Sequence, residues 1–245
     1  MPSLRWAGYV IGIGLIVLAW YLTSVTTSLV PGPGPALLYL VTHAEAAARA
    51  LTLTLIDATG GYAVAALMSL AGLLVCETGE IGEAIVSTVR EVLHSVTPVA
   101  WALVLLILFG FSSRVVPVLV SAFMAFPPLM TSMLEGLRAS RARFGDLAEA
   151  MGLRGIRRLT YIDLPASVPY FIAGTRTAIS VALIASPVAE AFGTAGGIGY
   201  GLYIYFELHQ YSAFLAWSTL LVIVLILVDY ALLRPLERWS SRWLE

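Results

Sequence analysis

The chain has 245 residues, 59% of them hydrophobic and only 12% charged, with a net charge of −1. A soluble domain carries roughly a quarter charged residues, so this share excludes an ordinary water-solvated surface, and the mean hydropathy of +0.89 agrees. All 14 basic residues are Arg, and Cys76 stands alone, which excludes a disulfide within one chain and any Cys-based metal site.

Charges are absent between Arg5 and Glu45, Asp57 and Glu77, Glu91 and Arg114, Arg114 and Glu135, and Glu207 and Asp229. Each run holds about 19 residues or more, and at about 1.5 Å per residue that length spans a hydrocarbon core of about 30 Å. The pattern predicts an all-α membrane protein with about six transmembrane helices. The first crossing is expected over 6–25, as a retained span, because the apolar stretch is long and lacks a clear small-x-small cleavage site. Pro31-Gly32-Pro33-Gly34-Pro35 should break any helix and make a stiff external loop. Residues 36–50 then read as a helix, with Glu45 and Arg49 one turn apart, before a second crossing over 54–76.

An acidic segment over 77–91 reads as a helix lying at the membrane surface. The third and fourth crossings are expected over 96–111 and 115–134. The fourth contains Pro127 and Pro128, adjacent prolines that a bilayer tolerates only inside a bundle or beside water; they read as path lining or as a plain kink. Residues 135–165 form the longest polar stretch, a fifth crossing follows over 168–190, and a glycine-rich external turn runs from Thr194 to Gly201. A sixth crossing over 212–233 leads to a tail with Arg234, Arg238 and Arg242. Arg5, Arg90, the six Arg of 135–165 and the three of the tail fall on one side; Arg49 and Arg114 fall on the other. The positive-inside rule therefore places both termini in the cytoplasm.

The polar stretch reads Asp146-Leu147-Ala148-Glu149-Ala150-Met151-Gly152, then nine residues, then Ile162-Asp163-Leu164-Pro165. A helix should end near Gly152, which accepts the left-handed conformation freely, and Pro165 should open the next helix with its fixed φ. The alternative is a basic loop held against anionic lipid by Arg154, Arg157 and Arg158. This spacing resembles the signature of bacterial and archaeal ABC importer permeases: Glu-Ala-Ala, three residues, Gly, nine residues, Ile-x-Leu-Pro. Ala148, Gly152, Ile162, Leu164 and Pro165 match, whereas Asp146 replaces the Glu and Leu147 the first Ala. The resemblance covers roughly 50–245 and extends to Pro98-Val99-Ala100-Trp101, Ala173-Gly174-Thr175-Arg176 and Gly197-Ile198-Gly199-Tyr200. These look like landmarks of the branch that imports nitrate, taurine, alkanesulfonates and thiamine-precursor pyrimidines. One departure is Asp57 before Gly61-Tyr62, where that branch usually has Arg.

The resemblance implies one permease domain over 1–245, with its core at 50–235 and a cytoplasmic coupling helix within the 135–165 loop. ATPase coupling would fall to Asp146, Ala148, Glu149, Gly152, Leu153, Arg154, Arg157, Ile162, Leu164 and Pro165. Implied partners are separate ABC ATPase subunits, which would carry ATP and Mg, an extracytoplasmic solute-binding protein and a second permease copy in a prokaryotic cell membrane. No nucleic acid and no cofactor in this chain are expected. The chain has no Lys and hence no phosphate-binding Gly-x-x-x-x-Gly-Lys loop, so it is not expected to be an enzyme. Candidate path residues are Arg176, Glu190, Pro127 and Pro128. Arg176 is expected at the inner surface or on an anion path, Glu190 as an outer cap of the fifth crossing or a gate, and Asp57 at the interface. The rival class is an ion-driven secondary transporter or channel, against which stands the lack of a buried chain of acids and of an evident inverted repeat.

Overall fold

The computed structural model describes residues 2–27, 30–193, 196–233 and 235; Thr194, the tail residues Arg234, Arg238 and Arg242, and the Arg5 side chain lie outside them. The described residues form helices α1 (Pro2–Thr26), α2 (Pro33–Thr42), α3 (Ala44–Cys76), α4 (Glu80–Ser95), α5 (Pro98–Phe109), α6 (Val115–Ala150), α7 (Gly155–Arg158), α8 (Leu164–Gly193), α9 (Ile198–Glu207) and α10 (Tyr211–Val228). Five residues wound as π-helix, Leu159–Asp163, join α7 to α8, and a second such stretch, Asp229–Leu233, extends α10.

The proline-glycine run does not stay outside helix as expected. Pro33 opens α2, where a missing N–H is harmless because the first turn has no carbonyl to receive it. The helix expected over 36–50 is divided at His43 (φ −116°, ψ 30°), and α3 then continues for 33 residues as one element.

Four helical runs are long and apolar enough to cross a bilayer: α3, α6, Gly155–Gly193 and Tyr211–Ala231. The segment expected as a surface helix forms α4, and the expected third crossing falls in α5. α5 has 12 residues, about 18 Å, too short to cross alone. It meets α4 at 98°, because Pro98 holds Thr97 extended (φ −67°, ψ 152°) and so breaks the helix. At its start α4 sits against the end of α3, where a Cβ on Gly82 would run into the Val75 carbonyl. At the other end of the pair Leu106 covers Gly193, and Ser112 N–H donates to the Gly193 carbonyl at 2.5 Å. The pair thus runs from one end of the bundle to the other, and among the described residues the apolar crossings number four, or five where this bent pair is counted as one. The crossing expected over 6–25 falls in α1, whose described apolar part is the shorter Ile11–Thr26.

α6 and α8 are the antiparallel centre, with α3 across them. Helices gain little hydrophobic free energy by associating in lipid, so close backbone approach through small residues takes over. Ala58, Ala65, Ala125, Ala178 and Ala182 are buried here beside Phe126, Leu129, Met130 and Met133. A Cβ on Gly174 would lie 2.7 Å from Ser132 Cβ, and one on Gly136 would lie 2.9 Å from Tyr170 Cβ. Apolar side chains such as Ile56, Leu67, Leu74, Ile107 and Ile184 point outward.

Gly174→Leu should therefore lower stability by about 1–3 kcal/mol, the usual cost of overpacking. Gly60→Ala, whose Cβ would stand 3.7 Å from Val118, should be neutral or stabilising by up to about 1 kcal/mol. Thermal unfolding midpoints in detergent check both.

Candidate functional sites at the ends and middle of the bundle

At the end where α6 begins and α8 finishes, Glu190 is 0% exposed. It is not the outer cap expected from sequence. Its Oε2 accepts from Gly199 N–H at 2.9 Å and lies 3.0 Å from Thr54 Oγ1, while Ser186 Oγ donates to Oε1 at 3.1 Å. Thr54 Oγ1 in turn accepts from Ile198 N–H at 2.9 Å. Thr54 and Glu190 thus take up N–H groups at the start of α9, where a carboxylate also meets the positive end of the helix dipole. The glycines of this segment are packed and do not form a loose turn. Gly197 has φ +94° and a Cβ there would enter the Glu190 carboxyl, and one on Gly199 would enter the Pro187 carbonyl. Asp57, expected at the interface, is buried (1% exposed) and pairs with Arg114 at 2.8 Å.

At the opposite end α6 terminates in a Schellman motif. Leu153 N–H donates to the Ala148 carbonyl at 2.9 Å and Gly152 N–H to that of Glu149 at 3.0 Å, with Gly152 at φ +66°. The expected short helix is thus the last turns of a continuous 36-residue helix. Ala148 is buried, and Leu153, Ile162 and Leu164 are half-buried. Asp146, Glu149, Arg154, Arg157 and Pro165 are exposed, together with Leu147, Met151, Ile156 and Tyr161.

Beneath this tip lies a charge cluster that the sequence reading did not assign. Asp163 is 0% exposed; it accepts from Ser140 Oγ at 2.7 Å and faces Arg158 at 3.4 Å. Arg141 hydrogen-bonds Glu77 and reaches Glu83 at 3.7 Å and Asp163 at 3.9 Å. The loop is thereby tied to the α3–α4 turn and so to the broken crossing. Asp163 occupies the free position of Ile-x-Leu-Pro, where the spacing carries no signal of burial.

Between the ends, a cleft of about 900 Å³ opens where α4 and α5 bend apart, floored by α6 and α8. Pro127 and Pro128 line it. Each lacks the N–H that would engage the carbonyl four residues back, those of Phe123 and Met124. Arg176 and Glu190 do not line it. Arg176 donates to Asp229 on the extension of α10 at 3.0 Å. Arg90, read from sequence as a surface charge, lines the cleft instead.

A bundle of apolar crossings around a cleft that holds a few polar side chains is the build of a membrane transport component. Residues 68–242, well over half of the chain, match the family described as binding-protein-dependent transport system inner membrane component, and the chain belongs to that family. It is 27% identical over 194 residues to a probable ABC transporter permease protein of Haemophilus influenzae, covering 77% of this chain and 78% of the relative. It is 26% identical to a putative aliphatic sulfonates transport permease of Bacillus subtilis, over 62% of this chain and 55% of that one. A bicarbonate transport system permease of Synechococcus elongatus is 24% identical, over 75% and 64% of the two chains. The chain thus spans less than two thirds of the last two relatives. The fold matches a crystal structure of an amino acid ABC transporter with a TM-score of 0.68, at 17% identity over 82% of this chain and 97% of that one. The family is one of importer permeases, not of enzymes.

Glu190→Ala removes the acceptor of the Gly199 amide and of the Ser186 hydroxyl and should lower stability by about 2 kcal/mol or more. Arg141→Gln and Glu77→Gln should not add: a double-mutant cycle should return a coupling of about 0.5–3 kcal/mol. Both are read by thermal unfolding in detergent.

Proposed function

We propose that this chain forms the transmembrane path of an ABC importer for a small solute and is driven through its 146–165 loop by separate ATPase subunits. Two copies would pair around the path, a solute-binding protein would deliver substrate from outside, and the loop end and both termini would face the cytoplasm. Family membership supports the class. The observation that carries the docking assignment is the apolar tip: Leu147, Met151, Ile156 and Tyr161 are 52–75% exposed on a loop rimmed by Asp146, Glu149, Arg154 and Arg157. Such a patch, beyond the apolar length of the bundle and edged by both signs of charge, suits insertion into a cleft of a soluble protein.

The same geometry supports a mechanical route. Nucleotide-driven approach of two ATPase subunits would move the tip; the Asp163–Arg158–Arg141 cluster would pass that motion to α6, α8 and the α3–α4 turn. The broken crossing lines the cleft, so a shift of α4 against α6 would change access to it. The relatives' printed names include sulfonate, nitrate, bicarbonate, riboflavin and formylaminopyrimidine permeases, and we infer a substrate of that size.

Co-purification in detergent with the cognate ATPase tests the docking. Met151→Asp places charge on an exposed position with ordinary backbone geometry and should cut ATPase retention about tenfold, the scale of losing one apolar anchor of about 1.4 kcal/mol. Gly152→Val should act similarly through strain, since no neighbour would meet its Cβ and a β-branched residue at φ +66° is unfavourable. Full retention by Met151→Asp would remove docking from this loop, and a native chain that binds no ATPase would sink the ATP-driven reading.

A further inference from the structure

Two breaks in the helical ladders border the cleft. Pro98 parts α4 from α5 at 98°, and Pro127 with Pro128 leaves two carbonyls of α6 without their usual donors. All three prolines line the cleft. α8 passes the same level at Thr177 and Val181 with no proline between Pro169 and Pro187. Bending therefore concentrates on the side where α4 and α6 meet, and the unbroken α8 keeps it small.

Most of what joins α4 to α6 is apolar. Val86 and Leu93 enter the cluster that holds Met130 and Met133, and such contacts are non-directional and permit sliding. The Arg90–Thr131 hydrogen bond is long, at 3.3 Å. Arg141 is the exception. Its Nη2 hydrogen-bonds Glu77, its Nη1 stands 3.7 Å from Glu83, and its Nε stands 3.9 Å from Asp163 Oδ2. These carboxylates belong to the C-cap of α3, the first turn of α4 and the entry to α8. Among the described residues, both ion pairs recorded between α6 and the 77–95 segment are made by this one side chain. A planar guanidinium among three carboxylates fixes direction as well as distance. At about 1.5 Å per residue, Arg141 lies about 9 Å along the axis of α6 from Leu147 at the tip. The network also has room to tighten. Asp163 Oδ2 and two nitrogens of Arg158 are buried without a hydrogen bond, while Ser140 holds the other oxygen of Asp163. Arg141 Nε needs to approach Oδ2 by about 1 Å to reach hydrogen-bond distance.

We propose that Arg141 is the positioning residue that makes the start of α4 follow the end of α6, so that the breaks at Pro98 and at Pro127-Pro128 bend together. Motion of the tip then changes access to the cleft between them. The inference rests on the ATP-driven permease reading above and adds which side chain carries the motion across to α4. Without Arg141, α6 bends alone and α4 stays behind. Docking is untouched, because the exposed side chains of the tip lie further along the chain.

The test needs no transported solute. Thr177→Cys, an exposed lining position, is made in a Cys76→Ala background of the full chain, purified in detergent with its ATPase. The rate of labelling by the neutral reagent methyl methanethiosulfonate is measured without nucleotide and after trapping with ATP and orthovanadate. With the unsubstituted loop the two rates should differ at least about fivefold, the lower end of coupling between distant sites. Arg141→Gln should bring their ratio near unity while the ATPase stays bound and still hydrolyses ATP. Glu77→Gln should act the same way, and Arg141→Lys should keep an intermediate ratio. Arg138→Gln, exposed on the same helix, controls for the lost charge and should leave the ratio as it is. A static bridge would lower the unfolding midpoint and leave the ratio alone. That outcome in Arg141→Gln and Glu77→Gln, or rates insensitive to nucleotide with the unsubstituted loop, would overturn the proposal. ATPase retention, scored on the same samples, separates the two readings. A chain that retains no ATPase sinks the permease reading and this proposal together, whereas retained ATPase with a ratio indifferent to Arg141 sinks this proposal alone.

Discussion

The close approach of α6 and α8 is the constraint from which the rest follows. Lipid offers helices little reward for hiding apolar surface, so the pair is held by shape at positions where one added carbon would collide, Gly136 and Gly174 above all. Being antiparallel, the two helices carry both ends of the molecule. α6 starts at the Asp57–Arg114 pair and ends in the exposed tip; α8 starts at buried Asp163 and ends at buried Glu190. Any tilt of this pair at one end is felt at the other, and α3, packed on α6 where Gly61 meets Ser121 and hydrogen-bonded to α8 between Tyr62 and Thr175, limits the directions of tilt.

Polar groups within this frame divide by how they are satisfied. Glu190 is surrounded by donors from α3, α8 and α9 and acts as a structural peg. Asp163 and Arg141 join the loop to the neighbouring turn, with incomplete satisfaction: Asp163 Oδ2 and two nitrogens of Arg158 are buried without a hydrogen bond. Such a half-satisfied network is costly in a static structure. Arg90 forms the third kind, a cation lining a cleft beside Glu91, with the Thr131 and Ser87 hydroxyls as its hydrogen-bond partners.

The broken crossing gives the cleft its existence. Pro98 forces Thr97 out of helix, α4 and α5 part at nearly a right angle, and the gap is floored by the stretch of α6 that holds Pro127 and Pro128. Three prolines on two elements, all unsuited to a continuous helical ladder, meet at one level of the bundle.

Charge-free runs and the spacing from Ala148 to Pro165 were enough to read helical membrane architecture, the family resemblance and the turn at Gly152, because each depends on local chemistry: hydrocarbon length, backbone freedom, a missing N–H. Which polar residues lie inside was not legible. Asp57, Asp163 and Glu190 flank or interrupt apolar runs just as interfacial residues do, and their burial depends on partners 57, 23 and 136 positions away in the chain. The sharp bend between α4 and α5 was not legible for a related reason. Whether α4 lies on the surface or continues into α5 depends on Gly82 packing beneath α3 and on Arg141 reaching Glu83. The sequence by itself therefore determined the solvent and the class of fold, while tertiary packing alone decided that Arg176 and Glu190 are struts and that Arg90 lines a cleft.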